Sequence, residues 1–311
     1  MSKRAIFWFR RDLRLSDNPA LLAAIDESDE VIPLFIMDDE ISNRAGEHRR
    51  AYLAQSLQAL NESLDGNLLI KSGSPVEVIS EVMKKYKASS VHSAFPYAPY
   101  GNERDAELKS AGIELQQLGS GYAVAPGRVL KDDGTPYRVY TPFYRAWLAH
   151  GWRAPVAAPK KVSWVAPLKG DQNIPNWKTP DRTILQEAGE IAALKRFKDF
   201  LKRAAEDYGD ARNIPGIEGT SRLSPHLRWE KFIHEQFLRR WANLKVTRFI
   251  EKKLLGASSM PMFFTIIHTP LAIITILSLR RCDMTNPDQN SKPGVKEKRD
   301  IPLSMLQCVN W

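Results

Sequence analysis

Three hydroxyl side chains surround an arginine in Thr220-Ser221-Arg222-Leu223-Ser224, directly before Pro225 and a short helix-forming stretch. Hydroxyls, backbone N–H groups and the positive end of a helix dipole all suit phosphate oxygens, so this segment is a candidate anion cradle. Taken alone, it reads equally as a Ser/Thr-rich helix cap. A second pair, Asn102-Glu103, sets an amide beside a carboxylate, a donor–acceptor combination that can pair with the polar edge of a heterocycle. Its plainer reading is a helix start, with Asn102 as cap and Glu103 favoured by the dipole. Cys282 and Cys308 are the only cysteines. With none before position 230, neither a disulfide framework nor a Cys-based metal site is expected there, and a reducing compartment is the default. No residue is assigned a catalytic or metal-ligating role.

The elements that must position these residues follow from hydrophobic periodicity. Ala5–Phe9 is a short apolar run ahead of a charged loop, the pattern of a buried first strand. Asp17-Asn18-Pro19 opens a helix, with Asp17 as its expected N-cap and Pro19 in the first turn. Val31–Met37, Leu68–Ile70, Ser89–Ser93 and Glu114–Leu118 read as further strands. Between them, helical spacing is expected from Ala51 to Leu64, over Pro75–Tyr86 and over Asn102–Ala111. Strands alternating with helices predict an α/β fold, a Rossmann-like parallel sheet covered on both faces. No Gly-x-Gly-x-x-Gly follows Phe9, which argues against a nicotinamide site. Prolines 155, 159, 167, 175 and 180 mark residues 151–187 as a connector. A mostly α-helical segment begins at Ala188.

The chain has 311 residues and a formal net charge of +9, which favours an anionic partner such as nucleic acid. That excess is unevenly placed. Residues 230–311 carry 13 Lys+Arg against 7 Asp+Glu, whereas residues 1–229 carry 32 against 29. The N-terminal apolar run is too short for a signal peptide, so the protein is expected in the cytoplasm.

Four segments together resemble the DNA photolyase/cryptochrome family. Phe9-Arg10-Arg11-Asp12-Leu13-Arg14-Leu15-Ser16-Asp17-Asn18 is similar to its opening signature, and Tyr137 to Trp147 to its Thr-Pro-Phe turn and helix. Pro96-Tyr97 with Tyr100 to Asp105 resembles the antenna segment, and Thr220 to Trp229 the turn that cradles the FAD diphosphate. The resemblance covers residues 3–229. It implies an antenna domain over 1–150 and the start of a helical FAD-binding domain over 188–229. By resemblance, Tyr208, Thr220, Ser221, Arg222, Leu223 and Ser224 contact the FAD diphosphate. Asn102 and Glu103 would hold a 5,10-methenyltetrahydrofolate antenna, the alternatives being a deazaflavin or no antenna. The implied enzyme is a deoxyribodipyrimidine photo-lyase acting as a monomer on damaged DNA. A cryptochrome-type photoreceptor is the alternative within the family.

Past Trp229 the resemblance stops. Met260–Leu279 is nearly continuous in apolar residues and flanked by basic ones, which gives a membrane-tethered antenna domain as a further alternative. Two internal prolines and His268 make it a poor span, and no membrane association is expected. A shift of reading frame accounts for more residues. Taking the last base of each codon with the first two of the next, Lys298–Trp311 permits TGYPIIDAAMRQL, a family string. Lys245–Met262 permits a string containing WREF, and Glu230–His234 permits GKIYP, with glycine at position 230. Only a few amino acids are possible at each shifted position, so long matches are not expected by accident. Residues 230–311 are therefore read as an out-of-frame tail, which leaves the chain inactive as written.

Overall fold

The structure, a computed structural model, describes residues 2–231 except 43, 172 and 182–184. These belong to one compact unit. Its centre is a five-stranded, all-parallel sheet of order β3-β2-β1-β4-β5. The strands are β1 (Arg4–Phe9), β2 (Glu30–Met37), β3 (Leu69–Ser72), β4 (Ala88–Ser93) and β5 (Leu115–Gln117). The helices of this region are α1 (Pro19–Asp26), α2 (Asp39–Ser42), α3 (Glu47–Ser63), α4 (Pro75–Tyr86) and α5 (Pro99–Ser110). After them come α6 (Tyr140–His150), α7 (Glu190–Arg203), α8 (Tyr208–Ala211) and α9 (Ser224–Arg228).

The apolar runs become central strands because both faces of the sheet are covered. Alternate residues of β1 enter different cores. Ala5, Phe7 and Phe9 pack with Leu21 of α1 and Leu53, Leu57 and Leu60 of α3. Ile6 and Trp8 pack with Val78, Ile79 and Val82 of α4 and Leu108 of α5. The expected α/β architecture is thus the observed one.

Pro33 lies in the middle of β2, where the missing N–H would ordinarily break a ladder. It is tolerated because of what stands beside it. Val31 exchanges hydrogen bonds with the connector, donating to the Ser163 carbonyl (2.9 Å) and accepting from Val165 N–H (2.9 Å). β3 begins only opposite Leu34. Position 33 points to that same side of the strand, so it falls in the gap between the connector and β3.

Two local expectations are corrected. Asn18, not Asp17, caps α1: its side chain accepts from Leu21 N–H (3.2 Å). Asp17 instead takes a left-handed conformation (φ 50°) with a fully buried carboxylate. Helix α5 starts at Pro99 with Ala98 at its cap, so Asn102 already lies inside the helix and caps nothing. Proline at the first helical position supplies the start signal there. Among the described residues, no helix is long and apolar enough to cross a membrane. The run Met260–Leu279 and the rest of the proposed tail past Lys231 lie outside the described residues.

Candidate functional site

The turn 220–224 is held from two sides. Helix α7 buries Phe197 and Phe200, and Phe200 meets the Tyr208 ring edge-on at 5.7 Å, which anchors α8. Gly219 passes so close to α8 that a Cβ there would come within 2.5 Å of the Ala211 Cβ, so only glycine fits. From α7, Arg196 Nε donates to the Ser221 carbonyl (3.1 Å) and fixes the middle of the turn. Arg222 takes a left-handed conformation (φ 51°) and pairs with Glu218 at 3.2 Å in an exposed position. Leu223 is buried beneath the turn. Thr220 and Ser221 are half-buried and Ser224 is exposed. α9 has only five residues, so its dipole is small and the hydroxyls and backbone N–H groups must supply most of any anion binding. The structure therefore brings Tyr208 and the turn onto one support. Arg196 was not visible as part of it from the sequence, since nothing in its helix distinguishes it from other surface cations.

The charged loop after β1 forms the joint between this turn and the sheet. Leu13 N–H donates to the Trp229 carbonyl (3.2 Å), and Arg11 donates to the Arg228 carbonyl (3.3 Å). Arg14, 2% exposed, donates to the carbonyls of Glu230 (2.7 Å) and Asp17 (3.1 Å). On α7, the Glu190 carboxylate accepts from Leu15 N–H, Ser16 N–H and the Ser16 hydroxyl. Asp17 accepts from Val156 N–H (3.0 Å) and pairs with Arg153 at 2.6 Å, which ties in the connector. The loop is thus a structural fastening. Glu230 itself is left-handed (φ 44°), and burial raises its carboxyl above the usual range. Its nearest cations, Arg11 and Arg14, stand at 3.7 and 3.8 Å.

A buried polar cluster joins α9 to α3. Lys231 Nζ donates to Ser56 Oγ (2.7 Å) and Tyr52 Oη (3.1 Å), and His226 Nδ1 lies 3.0 Å from the same Tyr52 hydroxyl. Burial pushes Lys231 down to about 7. Burial, then the Lys231 and Arg196 charges, push His226 down to about 4. Both groups are bases that the unfolded chain protonates more readily than the folded one. Their cost is therefore present at low pH and relieved as pH rises, from 4 to 6.5 for His226 and from 7 to 10.5 for Lys231. The chain should melt higher at pH 9 than at pH 7, and Lys231→Met should remove much of that difference. Thermal melts of both proteins across this window check it, and an unchanged alkaline gain in the variant would refute the assignment.

Asn102 and Glu103 sit together on the exposed face of α5. The next two residues turn inward, toward the point where the strand order reverses between β1 and β4. The Arg10 and Arg104 guanidinium groups lie over the Trp8 ring at 4.1 and 4.4 Å. Asp105 binds Arg10 through two contacts (2.6 and 3.0 Å) and accepts from Gln117 (2.7 Å). In open α/β sheets this crevice is the usual ligand site. Here protein side chains occupy it, which leaves the outward pair as the candidate antenna contacts on α5. Among the described residues, no group of His, Cys, Asp and Glu could hold a metal ion.

Comparison with known proteins gives a consistent result. The family model for DNA photolyase matches residues 5–160. A deoxyribodipyrimidine photo-lyase of a Synechococcus species is 36% identical over 74% of this chain and 51% of its own length. An uncharacterized 31.6 kDa protein of another Synechococcus strain is 37% identical over 72% of this chain and 84% of its own. The crystal structure of a bacterial class III photolyase from Agrobacterium tumefaciens superposes with a TM-score of 0.70 at 29% identity, covering 87% of this chain and 60% of that one. The chain thus spans about half the length of the photo-lyases it matches.

Proposed function

Because the chain belongs to the DNA photolyase family, we propose that its gene specifies a flavin-dependent, light-driven enzyme that repairs pyrimidine dimers in DNA in the cytoplasm. The observation that carries this reading is the turn at 220–224, supported by Arg196 and joined to an antenna-type sheet. In this reading residues 1–150 form the antenna domain, 151–187 the connector and 188–229 the start of the FAD-binding domain. The enzyme acts as a monomer.

FAD fits the residues present. Hydroxyls of Thr220, Ser221 and Ser224 surround a turn whose backbone is fixed by Arg196, and the buried Tyr208 stands on the same support. These residues, with Arg222 and Leu223, would hold the diphosphate; the turn would orient the cofactor and shield it from water. When bound, FAD would supply the light-driven one-electron chemistry that dimer splitting requires. Asn102 and Glu103 would hold a methenyltetrahydrofolate antenna through its donor–acceptor edge.

The 311-residue chain itself is inactive in this reading, because residues 230–311 are out of frame. Two observations support that. Glycine is the residue the shifted frame puts at 230, and the backbone there has the left-handed φ that favours glycine. The Synechococcus photo-lyase aligns over 74% of the chain, the share that residues 1–229 occupy. The test compares the chain as written with one whose frame is corrected after codon 229. Only the corrected protein should carry stoichiometric flavin absorbance and repair dimers under blue light. Stoichiometric flavin on the uncorrected chain, or a corrected chain without flavin, overturns the reading.

A further inference from the structure

The connector carries a charge pattern that the flavin site does not use. From Gly134 to Gly170 there is no Asp or Glu, while Arg138, Arg145, Arg153, Lys160, Lys161 and Lys169 give six cations. Residues 1–229 as a whole carry only three more cations than acids. The excess of this part of the chain is therefore concentrated in residues 134–170, and the remainder is slightly acidic.

The path of the backbone spreads the connector lysines, Lys160, Lys161 and Lys169, along the sheet. Val156 is fastened to Asp17, beyond the carboxyl end of β1. Trp164 bridges to Val31, at the opposite end of the sheet. Leu168 N–H then donates to the Tyr86 hydroxyl (3.0 Å) at the end of α4. The segment thus runs the height of the sheet, about 26 Å for an eight-residue strand. Arg138, Arg145, Lys160, Lys161 and Lys169 are all exposed. Among the described residues none of these five has an ion-pair partner.

Three acids close to the connector's anchoring points are already engaged. Asp17 pairs with Arg153, which is therefore not counted. Glu30 accepts from Arg4 and Ser2. Asp171 is bound by Lys71, Lys85 and Tyr86. An extended row of unmatched cations, about as long as several phosphate spacings of one DNA strand, is complementary to a nucleic-acid backbone.

We propose that the basic stretch from Arg138 to Lys169, which includes α6 and the first part of the connector, binds the sugar–phosphate backbone of DNA, independently of any lesion. This surface lies on the antenna side of the molecule, so it would hold the protein on undamaged duplex. Such contacts carry no sequence information and weaken steeply with salt.

The test uses the full 311-residue chain in the dark with a fluorescein-labelled, undamaged duplex, read by anisotropy over a range of KCl concentrations. Lys160→Gln with Lys161→Gln should weaken binding at least about fivefold at low salt. It should also flatten the slope of log K against log salt by about 1.8, from two lost phosphate contacts. Arg138→Gln with Arg145→Gln should do the same through separate residues, which guards against one pair merely disturbing the fold. Wild-type affinity and slope in both variants would assign DNA binding to residues past 231 and overturn the proposal. Failure of the wild-type chain to bind duplex, or a preference for anionic phosphatidylglycerol vesicles over DNA, would overturn it too. The experiment involves neither flavin nor lesion, so its failure leaves the repair reading standing.

Discussion

Arg14→Met lowers the melting temperature of the chain by roughly 10 °C. Arg14 is almost fully buried and makes two charge-assisted bonds to carbonyls 216 and 3 residues away, those of Glu230 and Asp17. Methionine fills much of the same volume but donates nothing, so both carbonyls lose their partner and the buried Glu230 carboxylate loses one of its two nearest cations. Removing one member of a buried charged network costs about 3–5 kcal/mol. For a protein of this size each kcal/mol shifts the midpoint by about 2–4 °C. Arg14→Lys should recover little, because an ammonium is a point charge and cannot span two carbonyls as a guanidinium fork does. Calorimetry of the three proteins decides it: a loss under about 2 °C in the methionine variant would mean the joint contributes little.

Glu230→Gly acts at the same joint with the opposite sign, raising the midpoint by roughly 5 °C. The left-handed backbone at 230 costs a residue with a Cβ about 1–2 kcal/mol. The carboxylate is buried with its nearest cations beyond hydrogen-bond distance, and burial raises its pKa. It rests on Gly121, where a Cβ would run into it. Glycine removes both penalties and gives back under about 1 kcal/mol through greater freedom of the unfolded chain. Glu230→Ala separates the two effects, since it removes the carboxylate but keeps the strained backbone; its gain should be smaller. A glycine variant melting at or below the wild type would show that Arg11 and Arg14 need the acid more than the backbone needs glycine.

The sheet was legible in the sequence because its strands are buried on both faces and so read as unbroken apolar runs, Ala5–Phe9 and Val31–Met37 above all. Even Pro33 did not hide β2, although the gap that admits it could not be read from the sequence. Helix starts were less legible. Asp17 has the chemistry of a cap, but its carboxylate is claimed by Arg153 and Val156, more than a hundred residues away. The turn at 220–224 could be found from its own residues. Its supports could not: Arg196, Glu190 and Arg14 are ordinary charged residues until the chain folds and brings their carbonyl and amide partners to them. Lys231 was hidden for the same reason, since a lysine reads as surface unless its surroundings are known.

The contacts of the joint have a consequence for how far the chain can change without coming apart. Leu13, Arg11 and Arg14 grip positions 228, 229 and 230 by their carbonyl oxygens, and every amino acid supplies one. The fastening follows the path of the polypeptide and is largely blind to its lettering. A message read in the wrong register from codon 230 onward would still complete this last clasp.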